Sequence, residues 1–127
     1  VVIASGIDGD PPDMAPFTNS FVIVRSGDCE KREWLCRGAG GALSDAAAYV
    51  HAHPEEALKL LTKHFPTLDP KLVATAFAKM VKVTPSPPAP EVAQLENAER
   101  LNVEAGLLKA SDKLASYDGL FTDKYVK

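Results

Sequence analysis

Residues 43–61 read Leu-Ser-Asp-Ala-Ala-Ala-Tyr-Val-His-Ala-His-Pro-Glu-Glu-Ala-Leu-Lys-Leu-Leu, which predicts a helix, a break and a second helix. Apolar residues in the first half recur at three- and four-residue spacing and form one narrow stripe: Leu43, Ala46, Ala47 and Val50. Pro54 cannot continue that helix because proline lacks an N–H group, but it can begin the next one. Glu55 and Glu56 then lie in a first turn, where the helix dipole favours carboxylates. The pattern therefore predicts a corner at Pro54.

Composition sets the outer bounds of the chain. Its 127 residues are 46% hydrophobic and 24% charged, which is typical of one globular domain. A formal net charge of −3 argues against nucleic acid as a partner, since that needs a clustered basic face. No apolar run approaches the roughly 20 residues that span a bilayer. The chain begins without an initiator methionine or a signal peptide, so we expect it to start within a longer or processed protein.

Two short runs near the N-terminus predict strands. Residues 1–4 are rich in β-branched side chains and end at Ser5-Gly6. Residues 21–24, Phe-Val-Ile-Val, are apolar on both faces, which is typical of a strand inside an α/β sheet. The intervening residues 8–16 hold three prolines and predict a loop, and their aspartates do not fit a calcium-binding loop.

Capped amphipathic segments after residue 28 predict about five helices. Asp69 and Pro70 mark one helix start, and Gly106 marks a left-handed helix end. Three glycines, at positions 38, 40 and 41, interrupt a predicted helix over residues 29–51 and indicate a kink, a break or close packing. We therefore predict one domain over residues 1–127. It is an α/β fold that is mainly helical, with strands and a loop in residues 1–27 and helices in 28–127.

Four segments carry a resemblance to a known family. They are the alanine-rich helix, Ala-His-Pro-Glu-Glu-Ala at 52–57, Glu-Ala-Gly-Leu-Leu at 104–108 and Leu-Ala-Ser-Tyr-Asp-Gly-Leu-Phe-Thr-Asp-Lys-Tyr-Val at 114–126. Their order and spacing resemble the C-terminal part of the nitrate/sulfonate/taurine solute-binding proteins of ABC importers, which are similar to thiamine-pyrimidine-binding proteins. The resemblance covers residues 20–127 and, less closely, 1–19. It implies the C-terminal portion of a type-II periplasmic-binding-protein fold, and hence a fragment.

The resemblance also implies a function. Such proteins hold a small organic anion or a pyrimidine-like solute between two lobes and deliver it to an ABC permease in the membrane. They act in the periplasm or another extracytoplasmic space. The ligand-binding candidates are the polar residues just before the strand predicted at residues 21–24, namely Thr18, Asn19 and Ser20. The alternative is that these residues form an ordinary loop. Two further interpretations are a fragment of a thiamine-pyrimidine biosynthesis enzyme, and a sensor or interaction module without a transport role.

The remaining chemistry-bearing residues do not predict an active site. His51 and His53 are two apart and point in different directions on a helix, whereas zinc-binding helices use a spacing of four. Cys29 and Cys36 would lie roughly 10 Å apart on a straight helix, so a disulfide requires a break between them. Small core residues, a disulfide, and a metal or catalytic role all stay open for this pair. We expect no enzyme activity, no cofactor and no metal.

Self-association is a further hypothesis. A bare apolar strand at residues 21–24 exposes backbone N–H and C=O groups to which another chain can pair. Copies of the chain would then associate by strand pairing or by exchange of the N-terminal segment.

Overall fold

The structure, a computed structural model, describes residues 5–9, 11–17, 20–25 and 27–126. Within these ranges there are five α-helices: α1 Asp28–Lys31, α2 Glu33–Ala52, α3 Pro54–His64, α4 Pro70–Val83 and α5 Val92–Glu104. Short 3-10 turns occupy Gly6–Asp8, Pro12–Met14 and Ala110–Asp112. None of the helices in the described ranges combines the length and apolar character needed to cross a membrane.

The α/β prediction is wrong, because the described part of the chain is helical and contains no strand. Residues 21–24 have no regular secondary structure, and Ile23 is 87% exposed. A strand exists only where a second segment supplies hydrogen bonds, and no other described residue bonds to the backbone of residues 21–24. The predicted C-terminal portion of a type-II periplasmic-binding-protein fold is wrong for the same reason, because it requires two strands before the helices. The predicted strand at residues 1–4 lies outside the described residues.

The chain divides into two compact units. One consists of Val1–Arg25 and Pro90–Asp123 and contains α5. The other consists of Ser26–Ala89 and Lys124–Lys127 and contains α1 to α4. The organisation of residues 1–127 as a single domain stays a prediction.

The corner predicted at Pro54 is confirmed. Pro54 is the first residue of α3, and His53 lies between the two helices with φ −131° and ψ 57°. The His53 N–H donates to the Tyr49 carbonyl at 2.8 Å, and the His53 carbonyl accepts from the Ala57 N–H at 3.0 Å. His53 therefore provides a hydrogen-bond donor to the end of α2 and an acceptor to the start of α3, so the turn between the two helices is tight.

The buried face of α2 differs from the predicted stripe. Ala47 is buried and Val50 half-buried, but Leu43 and Ala46 are exposed. The face that is buried consists of small residues one turn apart: Cys36, Gly40, Ser44 and Ala47. This face is narrow because the backbone of Tyr125 passes directly over Gly40. The glycines indicated a kink, a break or close packing, and the structure shows close packing at Gly40.

The helical break lies instead at Arg32, between α1 and α2, and it accompanies a disulfide. Cys29 and Cys36 are bridged, with their Cα atoms 5.6 Å apart. Arg32 has φ −135° and ψ 52°, outside the helical region. The sequence predicts that a disulfide here requires a break in the helix, and the break at Arg32 meets that requirement. Of the alternatives left open for Cys29 and Cys36, the structure shows the disulfide.

Helix α4 begins as its sequence predicts. Asp69 is the N-cap, and its Oδ1 accepts from the Lys71 N–H at 2.8 Å while Pro70 occupies the first helical position. Val73 then points inward and is 4% exposed, the most buried core residue in the described ranges. Helix α4 lies in contact with α3.

In the other unit, both ends of α5 are capped. Glu91 and Gln94 form a capping box at the start. At the end Gly106 has φ 71°, and the amides of Leu107 and Leu108 donate to the Asn102 carbonyl at 2.8 and 3.1 Å, so the predicted left-handed cap is confirmed. The Leu107 side chain is 79% exposed and does not fold back over the helix.

The N-terminal loop is tied to α5 by side chains. Asn97 Nδ2 donates to the Pro16 carbonyl at 2.9 Å, and Arg100 Nη2 donates to the Asp13 carbonyl. Arg100 also pairs with Glu104 one turn along the helix. These contacts span more than 80 residues of sequence, so they were not foreseeable from local pattern.

Candidate functional site

The structure describes one of the three predicted ligand-binding residues. Ser20 is exposed, next to the exposed apolar residues 21–24. Thr18 and Asn19 lie outside the described residues. Ligand binding by Thr18, Asn19 and Ser20 stays a prediction.

The three histidines are not brought together. His51 lies 2.8 Å from the Thr84 carbonyl, to which its Nε2–H donates, so it links the end of α2 to the residue after α4. The His53 ring packs against Tyr49 at the corner, with ring centroids 4.9 Å apart. His64 is an exposed residue in the last turn of α3. Within the described ranges, no group of three His, Cys, Asp or Glu residues could hold a metal ion.

A polar groove of about 450 Å³ lies beside α5. Its walls are α5 and the chain that follows the last 3-10 turn, and the lining residues are Val92, Glu96, Glu99, Lys113, Leu114, Ala115, Ser116, Tyr117 and Asp118. Three of these carry carboxylates and one carries an ammonium group. The groove is therefore acidic, which disfavours an anion inside it.

Glu99 joins the two walls of this groove. Its Oε1 accepts from the Leu114 N–H at 2.8 Å, and its Oε2 accepts from the Tyr117 hydroxyl at 2.6 Å. The hydrogen bond from Tyr117, more than that from Leu114, lowers the pKa of the Glu99 carboxyl. The same hydrogen bond, with smaller contributions from burial and nearby carboxylates, raises the pKa of Tyr117 to about 12.

The hydrogen bond between Glu99 and Tyr117 has a structural role. A general acid or base needs a pKa near the working pH, and these two shifts move away from neutrality in opposite directions. Glu99 is more than a surface charge, because both of its carboxylate oxygens accept a hydrogen bond. The partners lie 15 and 18 residues away, beyond the reach of a helical spacing pattern.

The Glu99–Tyr117 pair predicts that the free energy of unfolding decreases at both acidic and basic pH. The folded pKa of Glu99 lies below its ordinary 4.5, so its contribution is present above pH 4.5 and is lost as the pH falls through the folded value. The folded pKa of Tyr117 lies above its ordinary 10.0, so its contribution is present below pH 10 and is lost as the pH rises through about 12. Urea unfolding across both ranges measures this.

Glu99→Gln should bring the pKa of Tyr117 down from about 12 towards 10.0, as read from the tyrosine ring carbon by NMR. Glu96→Gln is the matched control, because Glu96 is the smallest contributor to the shift. A pKa of Tyr117 that does not respond to Glu99→Gln would contradict the hydrogen bond between Tyr117 and Glu99.

A second groove, of about 480 Å³, lies in the unit that contains α1 to α4. It is open to solvent and lined by Glu55, Leu58, Lys59, Thr62 and Pro70. The Thr62 hydroxyl donates to the Leu58 carbonyl at 2.8 Å, so this polar group already has an acceptor within the helix. The groove presents one positive and one negative side chain and no convergent set of polar groups.

No protein-family model, no curated protein and no solved structure matches the chain.

Proposed function

We propose that this chain is part of a solute-binding component of an ABC importer, which binds a small organic anion or a pyrimidine-like solute and passes it to a membrane permease. The solute belongs to the nitrate, sulfonate, taurine or thiamine-precursor class. The role is binding without catalysis, in the periplasm or another extracytoplasmic space.

One observation carries the proposal: the residues that resemble the family are the residues that shape this fold. Within Ala-His-Pro-Glu-Glu-Ala, His53 and Pro54 make the corner between α2 and α3. Within Glu-Ala-Gly-Leu-Leu, Gly106 makes the end of α5. In the tail, Tyr117 donates to Glu99 in one unit, and Tyr125 lies against Gly40 in the other. The resemblance therefore rests on residues that have structural roles in this chain.

One physical feature adds support. The Cys29–Cys36 disulfide suits an oxidising, extracytoplasmic compartment. The acidity of the groove beside α5 disfavours an anionic solute there, so we assign the anion contacts to the neutral donors Thr18, Asn19 and Ser20. Hydroxyl and amide groups can donate hydrogen bonds to a sulfonate or nitrate without introducing a charge.

Thermal unfolding with added solute tests the proposal. The protein is scanned with taurine, an alkyl sulfonate, nitrate and an aminopyrimidine, each in large excess. Ligand at a hundredfold excess over its Kd stabilises by about 2.7 kcal/mol, which raises Tm by roughly 10 °C in a protein of this size. A Tm that none of the four solutes raises would contradict solute binding.

The site is tested by Thr18→Ala, Asn19→Ala and Ser20→Ala in one variant. We expect the solute-dependent rise in Tm to disappear while the Tm without solute changes little, because Ser20 and its apolar neighbours are exposed. Thr67→Ala, an exposed threonine in the turn after α3, is the control and should keep the full rise. Equal loss in both variants would place the solute elsewhere.

The exposed segment at residues 21–24 favours a second candidate, an interaction module that pairs with another chain. Each of its four side chains is at least half exposed, and the segment forms no backbone hydrogen bond in the described structure. Self-association through this segment should appear in sedimentation as a mass that grows with concentration. Ile23→Lys should abolish that growth, and a monomer at every concentration in the unmodified protein would exclude self-association.

A further inference from the structure

The interruption between α1 and α2 is confined to one residue. On one side the Arg32 N–H donates to the Asp28 carbonyl at 2.9 Å, and on the other the Arg32 carbonyl accepts from Cys36 at 3.4 Å. Helical hydrogen bonding therefore continues up to Arg32 and resumes from it. The helical bonds lost are those that Glu33, Trp34 and Leu35 would donate to the carbonyls four residues earlier; Leu35 donates to Arg32 instead, at 2.9 Å.

The local sequence does not account for this interruption. Residues 28–37, Asp-Cys-Glu-Lys-Arg-Glu-Trp-Leu-Cys-Arg, contain neither glycine nor proline and are rich in helix-forming side chains. Asp28 pairs with Arg32 at 3.1 Å and Glu33 with Arg37 at 2.9 Å, both at the four-residue spacing that supports a helix. Every local preference favours one helix through Arg32.

Packing does not account for it either. Helix α1 buries none of its residues. Just after the interruption, Trp34 is 73% exposed and Leu35 is exposed. None of the residues of α1 therefore belongs to the buried core.

The disulfide does account for it. In a straight helix, residues seven apart lie roughly 10 Å from each other, and a disulfide spans at most about 7 Å between Cα atoms. The observed Cα–Cα distance of 5.6 Å between Cys29 and Cys36 is reached only because Arg32 leaves the helical region. The bridge and a continuous helix exclude each other.

We propose that the Cys29–Cys36 disulfide is a redox-sensitive helix switch. In the oxidised protein it holds the chain broken at Arg32, and in the reduced protein residues 28–52 form one helix. Reduction restores the three lost helical hydrogen bonds and brings α1 into line with α2. The switch is independent of any solute that the protein binds.

A dithiol supplies the electrons. Its thiolate attacks the Sγ of Cys29, which is the more accessible of the two; the S–S bond breaks, and the Sγ of Cys36 leaves as a thiolate and takes up a proton. The second thiolate of the reductant then attacks the mixed disulfide and releases Cys29. The dithiol becomes a disulfide and loses two electrons, which the two cysteines gain as thiols.

Amide hydrogen exchange, followed by NMR in the oxidised protein and in dithiothreitol, tests the switch. The amides of Glu33 and Trp34 are the probes, because they lack a helical acceptor in the oxidised structure. We expect each to exchange about fivefold more slowly after reduction, the factor expected for one added hydrogen bond. The Val73 amide, far along the chain on α4, reports that the protein remains folded.

Two variants make the result specific. Cys29→Ser with Cys36→Ser should show the slow exchange without reductant and should not respond to it. Arg32→Pro should keep the fast exchange in the reduced protein, because proline removes the N–H and prevents a continuous helix. Unchanged exchange at Glu33 and Trp34 on reduction would overturn the proposal, and so would loss of protection at Val73, which would make the bridge a structural staple.

Discussion

Val73→Asp is expected to unfold the unit that contains α1 to α4. Val73 is 4% exposed, so an aspartate there places a carboxylate in the core without a partner. The effective cost of burying an unpaired ion is several kcal/mol, against a total stability of about 5–15 kcal/mol for a whole domain. Far-ultraviolet circular dichroism should show a large loss of helix, and urea unfolding should lose its cooperative transition.

Leu72→Asp is the matched control for this substitution. Leu72 is the preceding residue on the same helix, and it is 59% exposed. A carboxylate there stays in water and lies in the first turn of α4, where the helix dipole favours it. The free energy of unfolding should change by no more than about 0.5 kcal/mol. Equal effects of the two substitutions would show that α4 does not pack through Val73.

Gly40→Ala is expected to destabilise the protein even though alanine is the better helix former. An added Cβ would lie 2.7 Å from the carbonyl carbon of Tyr125 and 2.9 Å from its Cβ, and a side-chain rotation cannot relieve contact with backbone. Overpacking of this kind costs about 1–3 kcal/mol, which exceeds the gain of about 1 kcal/mol in helix propensity. We expect a net loss of up to about 2 kcal/mol, measured by urea unfolding.

A titration distinguishes release of the C-terminal tail from a general loss of stability. Lys124, next to Tyr125, lies 3.3 Å from Glu33, and this contact is the main reason that the pKa of Glu33 is lowered. If Gly40→Ala displaces the tail, the pKa of Glu33 should rise towards its ordinary value. NMR titration of the Glu33 side-chain carboxyl measures the change.

Gly41→Ala is the control, since a Cβ at Gly41 meets nothing within 4 Å. It should stabilise the protein by about 0.5–1 kcal/mol through helix propensity alone. A stabilising effect of Gly40→Ala equal to that of Gly41→Ala would mean that the tail does not rest on α2.

The two substitutions and the redox switch examine different parts of the α1–α4 unit. Val73 tests the core beneath α4, Gly40 tests the docking of the tail, and Arg32 tests the junction at the start of α2. The proposed solute site at residues 18–20 lies in the other unit. Failure of solute binding would therefore leave the predictions for the helical core standing.

Local sequence is enough to predict where α3 and α4 begin and how α5 ends. Proline is excluded from a helix interior, and its missing N–H costs nothing at a first position, so Pro54 and Pro70 can begin helices but cannot lie inside them. Gly106 likewise accepts a positive φ of 71° for a steric reason that belongs to the residue alone. The candidate residues Thr18, Asn19 and Ser20 were named from resemblance, and their role stays a prediction.

Which surfaces meet depends on tertiary packing. Whether residues 21–24 form a strand depends on a pairing segment, and whether Leu43 or Gly40 faces inward depends on the tail. The contact between His51 and Thr84 joins residues 33 apart, and that between Glu99 and Tyr117 joins residues 18 apart. Local spacing carries no information about such pairs, because they form only once helices or loops distant in sequence have packed. The break at Arg32 has the same origin, since every local preference there favours a helix and the Cys29–Cys36 bond overrides them.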